Sequence, residues 1–131
     1  MNAQEIFDTV VGHLFEQGRP ARPINRHLCR YRHVADDGTV LKCAAGFLIP
    51  DDVYDKGMEG MAANHVVRMY LPSLMAYASL IRELQGAHDN PVHPVGGFRT
   101  ETLINDLRRV AQRFSLSDEC LSHHEHSVTP Q

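Results

Sequence analysis

Apolar residues recur at helical spacing near both ends of the chain and at strand spacing once between them. Ile6, Val10 and Leu14 fall four apart, with Phe7 and Val11 widening the stripe, which predicts an amphipathic helix packed on a core. Asn2 and Glu5 form a capping pair, in which the Asn side chain accepts a helix amide and the Glu reaches back. Gly18 can end this helix in a left-handed conformation, and Pro20 and Pro23 forbid its continuation because they lack the amide donor.

The period then changes. "HLCRYRHVADDGTVLKC" reads as a β-hairpin, with Cys29, Tyr31 and His33 alternating against Leu28, Arg30, Arg32 and Val34. "DDG" supplies the turn, its glycine taking positive φ. Leu41 and Cys43 fall on one face of the returning strand, Val40 and Lys42 on the other. "AAGFLI" fits strand or helix, and a helical turn ending before Pro50 is favoured. "PDDVYDKGMEGM" is irregular, with one turn starting at Asp51. Helices are expected over Met61–Tyr70 and Pro72–Leu84, the latter with Leu74, Ala78, Ile81 and Leu84 on one stripe. "DNPVHPVGG" reads as a loop, and Thr100 as the cap of a final helix along Leu103, Leu107, Val110, Ala111 and Phe114. "SLSDECL" predicts a short turn and "SHHEHSVTPQ" a frayed end. The expected fold is a mostly helical α+β single domain: an N-terminal helix, one β-hairpin and two or three packed C-terminal helices. Residues 1–121 form the globular unit and 122–131 a flexible tail containing histidines.

Composition narrows the class. The 131 residues are 43% hydrophobic and 22% charged, ordinary globular usage for one domain with a real core. A net charge of −3 provides no global positive field for nucleic acid or membrane, so any such contact needs a local patch. Three cysteines at irregular spacing argue against a disulfide framework. "MNAQEIFDTV" lacks the basic and apolar regions of a signal peptide, and no apolar run approaches the roughly 20 residues that span a bilayer. A cytoplasmic protein with reduced thiols is expected.

Charge placement is the clearest polar signal. Arg19, Arg22, Arg26, Arg30 and Arg32 precede the first nearby acid, Asp36, and Lys42 returns on the partner strand. Arginine forks suit phosphate or carboxylate, and Tyr31 can stack on a base, so these seven residues form the candidate binding surface. The plain alternative is that Asp51, Asp52, Asp55 and Glu59, clustered just downstream, neutralise the same arginines within the fold.

Cys43 also invites two readings. As a nucleophile it would need a lowered pKa from a helix N-terminus or from His33 or His88. As a small apolar residue beside Ala44, Ala45 and Gly46 it would pack in the core, and this reading is preferred. Cys29, Cys43, Cys120 and nine histidines supply ligand types for zinc but not the spacing of a structural site, so no metal or cofactor is expected. His88-Asp89 and Asp51-Asp52 are adjacent pairs and give thin support for acid–base catalysis, and no phosphate loop or nucleophile elbow occurs.

"CRYR", "KCAAGFLIPDDVYD" and "MEG", preceded by "QEIFDTVVGHLFEQG", resemble a family of small uncharacterised proteins from phages, prophages and bacteria. That family carries Cys-x-Tyr-Arg, then a Lys-Cys-Ala-x-Gly hairpin, Leu-Ile-Pro-Asp and Met-Glu-Gly. The resemblance covers Gln4 to Gly60 and weakens beyond, although His88 and Asp89 fall where members carry a His-Asp pair. It implies a mobile-element origin and no reaction. The functional expectation is a small non-enzymatic accessory protein, phage-encoded, that binds a host protein and inhibits host defence or nucleic-acid machinery. The alternative is a sponge or small hydrolase for a nucleotide-like anion at the arginine-rich hairpin.

Overall fold

The computed structural model describes residues 1–21, 30–90 and 98–128. Helix α1, Ala3–Gln17, opens with the expected reciprocal cap. Asn2 Oδ1 accepts the Glu5 N–H at 2.8 Å and Glu5 Oε1 accepts the Asn2 N–H at 2.9 Å. Gly18 closes the helix at φ 75°, its N–H donating to the Leu14 carbonyl. Ile6, Phe7, Val10, Val11 and Leu14 are all buried, so the stripe read from spacing is the core face.

The hairpin pairs β1, Arg32–Val34, with β2, Val40–Lys42, antiparallel and with Arg32 opposite Lys42. Gly38 makes the turn at φ 86°. Leu28 and Cys29 of the expected first arm lie outside the described residues, and on the returning arm the strand stops at Lys42 because the chain enters helix α2, Ala44–Phe47, directly. Among the described residues, side chains and not a third strand cover both outer edges. Glu59 accepts the Tyr31 and Arg32 N–H groups at 3.0 and 3.3 Å. On the other side Gln17 exchanges two bonds with the Lys42 backbone, and His13 Nε2 donates to the Lys42 carbonyl at 2.8 Å. Covering edges in this way blocks pairing with another chain.

A 3-10 helix, Lys56–Met58, leads to α3, Ala63–Tyr70. Pro72 does not open an α-helix: residues Pro72–Tyr77 form a 3-10 helix with no buried side chain, and α4 runs Ala78–Asp89. Without a buried stripe that segment lacks the packing that sustains a longer α-helix, and the tighter form serves as a connector. Helix α4 is the hub, packing on α1, α2, α3 and α5 through Ala78, Leu80, Ile81, Leu84, Ala87 and His88.

Helix α5, Thr100–Arg113, buries Leu103, Leu107, Val110 and Ala111. Thr100 is its first residue and not its cap; Arg99 holds that position without a side-chain bond. Ser115 at φ 55° ends the helix, with the Leu116 N–H donating to Ala111 O at 2.8 Å, and this turns the chain into α6, Glu119–Val128. The frayed end expected from Ser122 is thus helical through Val128. Leu121 is fully buried and Phe15 stacks on His124 with centroids 3.9 Å apart, so α1 gives this helix a surface to lie on. The whole is a mostly helical α+β domain, and among the described residues no helix is long and apolar enough to cross a membrane.

Candidate functional site

The segment from Tyr31 to Met61 closes into one network. Cys43 is buried and caps α2, its Sγ accepting the Gly46 N–H at 3.2 Å. Gly46 lies under the Tyr31 backbone so closely that a Cβ there would come 2.1 Å from the Tyr31 carbonyl oxygen. The Tyr31 ring is buried, its hydroxyl donates to the Met61 carbonyl, and burial raises its pKa. Tyr54 donates to Glu59 at 2.7 Å, and its pKa is pushed up to about 12 by burial and then by that carboxylate. The quoted motif residues are therefore bonded mainly to one another.

This network takes most of the candidate arginine surface. Arg32 pairs with Asp51 at 2.7 Å, donates to the Ile49 carbonyl at 3.1 Å and lies over the Tyr54 ring, leaving its side chain 17% exposed. Lys42 shares the same Asp51 carboxylate at 3.6 Å. Arg19 pairs with Asp37 at 2.9 Å; the Thr39 amide and hydroxyl, then Arg19, hold that carboxyl down to about 2. Arg22 and Arg26 lie outside the described residues.

Arg30 is different. It is exposed and lines a cleft of about 510 Å³ between the hairpin, the Gly60–Ala63 turn and α4, together with Tyr31, Arg82, Gln85 and Asp89. Among the described residues neither Arg30 nor Arg82 has an ion-pair or hydrogen-bond partner for its guanidinium. A second groove of about 400 Å³ between α4 and α5 makes the contrast. Its arginines are already neutralised, Arg113 by Glu83 at 2.8 Å and Arg109 by Asp106 at 3.3 Å.

One wall of the Arg30 cleft is built from inside the core. His88 is fully buried, and its Nε2 accepts the Ala21 N–H at 3.2 Å. Its Nδ1 therefore carries the proton and donates to Asp89 Oδ1 at 2.8 Å. Gln85 donates to the same Oδ1 at 2.9 Å while its own carbonyl accepts the Ala45 N–H at 2.9 Å. Asp89 is held from two directions with Oδ2 left over.

Arg82 and Gln85 are functional candidates that the sequence reading did not single out, and Asp89 it placed only in an adjacent pair. The available signal was their spacing: positions 82, 85 and 89 share one face of a helix, but the predicted helix stopped at Leu84. Among the described residues no three His, Cys, Asp or Glu side chains are grouped to hold a metal ion. Cys120 is half-buried, and burial and then Asp8 push its thiol up to about 12, the opposite of an activated nucleophile. Searches of protein-family models, curated proteins and solved structures return no match to this chain.

Proposed function

We propose that the protein works by binding, and that it captures a small nucleotide-like anion in the Arg30–Arg82 cleft. The observation that carries this reading is the pair of guanidinium groups without a carboxylate partner at a cleft of small-ligand size. Two unneutralised arginines favour a phosphate, which accepts their forked donors bidentately. Binding without catalysis is supported by the engagement of nearby reactive groups: Cys43 Sγ caps α2 and both His88 nitrogens are bonded. Titration calorimetry and thermal melting with nucleoside monophosphates test the proposal. Replacing Arg30 and Arg82 together by Ser should weaken binding at least about tenfold, because charge-assisted bonds contribute about 1.5–3 kcal/mol each. Melting of the unliganded variant should change little, since both side chains are exposed. Binding that ignores the double substitution would place the ligand elsewhere.

A second reading is an accessory protein, phage-encoded, that engages a host protein and inhibits host defence or nucleic-acid machinery. It is supported by the motif resemblance and by Val34 and Val40, paired across the hairpin tip and 64% and 51% exposed. Capture of a host protein that is lost on replacing both valines by Ser would favour this reading.

A further inference from the structure

We infer that Asp89 selects the ligand of the cleft, and that the anion it accepts carries a guanine base. This rests on the anion-binding reading above and adds the identity of the group opposite the phosphate. The carboxylate is half-exposed at the cleft wall, its side chain 46% accessible. Its Oδ1 already receives two hydrogen bonds, from His88 Nδ1–H and Gln85 Nε2–H. Its Oδ2 receives none from the described residues, so both its lone pairs remain for a ligand. The Oδ1 donors are themselves fixed by the backbone at Ala21 and Ala45, so the carboxylate is oriented before any ligand arrives.

An acceptor-only group beside two cations selects for an anion that also presents N–H donors. Among the common bases, guanine offers two adjacent donors, N1–H and the 2-amino group, with no acceptor between them. Adenine sets its N1 lone pair beside the 6-amino group, and cytosine sets N3 beside the 4-amino group; each turns a lone pair toward a carboxylate. With the phosphate at Arg30 and Arg82, guanine is the base whose edge leaves no like-signed contact at Asp89.

Calorimetric titration of the full chain with GMP, IMP, AMP and inorganic phosphate tests this. GMP should bind about tenfold or more tighter than AMP, with IMP between them because it keeps N1–H and lacks the 2-amino group. Asp89→Asn retains Oδ1 for His88 and Gln85 and converts the ligand-facing oxygen to an amide donor. It should bring GMP and AMP to near parity, while phosphate affinity rises, because the variant removes a carboxylate charge that repels the anion. Equal binding of GMP and AMP to the wild-type chain would overturn the inference while leaving the anion site standing, as would an equal loss of all four ligands in a folded Asp89→Asn. Failure of all four to bind the wild-type chain would overturn both readings together. The wild-type order GMP, IMP, AMP carries the test even if the variant does not fold.

Discussion

Gly46 and Glu59 show what single side chains decide in this chain. Gly46 is needed for space and not for backbone freedom: the Tyr31 carbonyl occupies the position a Cβ would take. Gly46→Ala should therefore push α2 off the Tyr31 backbone and cost about 1–3 kcal/mol, measured by chemical denaturation. The site residues near it would shift as well, so nucleotide affinity should fall with stability. Glu59 accepts three hydrogen bonds, two from the Tyr31 and Arg32 backbone and one from Tyr54, which makes it a structural carboxylate.

At the scale of elements, the hairpin separates arginines that look alike in sequence. Arg30 and Arg32 lie two apart, yet one faces the cleft and the other is bonded into the fold through Asp51, Ile49 and Tyr54. Arg32→Ser should cost about 1–3 kcal/mol in denaturant, because it strands polar groups and empties packed volume. Arg30→Ser should leave the denaturation midpoint nearly unchanged and weaken anion binding. Asp51 is 83% exposed, so high salt should screen its share of the Arg32 effect, while the shares of the Ile49 carbonyl and the Tyr54 ring should survive. The last helix gives a second test. Ending the chain at Leu121 removes most of α6 and uncovers Phe15, which stacks on His124. The truncated chain should be destabilised by about 1 kcal/mol, read as a lowered melting temperature.

Over the whole molecule, stability should also depend on pH through two half-buried histidines. Burial is the main cause that lowers the His13 pKa from 6.5, against the opposing bond to the Lys42 carbonyl; its ring stacks on Phe47 with centroids 4.0 Å apart. His124 is lowered for the same reason. A histidine depressed in the folded state binds protons more readily when unfolded. Its contribution is complete above pH 6.5 and is lost as pH falls through the folded value. The melting temperature should thus fall from pH 7 to pH 5, and His13→Gln should show a shallower fall. An equal slope in the variant would assign the acid sensitivity to other groups.

Local patterns were legible without a structure because they involve neighbours within a turn or two. The Asn2–Glu5 cap, the Gly18 stop, the α1 stripe and the Gly38 turn each depend on groups a few residues apart. Period-two alternation likewise put Leu41 and Cys43 on one face and Val40 on the other, and packing makes the first face the buried one. The site was legible only in part: an arginine-rich segment beside a hairpin could be read, but not which arginine stays unneutralised. That depended on Asp51 reaching Arg32 and on α4 bringing Arg82 and Asp89 to Arg30. Helix α6 was missed because its polar sequence carries little amphipathic signal, and its docking uses partners far away in the chain, such as Phe15. Gln4, which bonds the Ser117 backbone twice, shows the same separation of about the whole chain. Hydrogen bonds and ion pairs act over a few ångströms, so sequence spacing reports them only within an element. Between elements, packing of the buried faces decides which polar groups meet and which are left facing solvent.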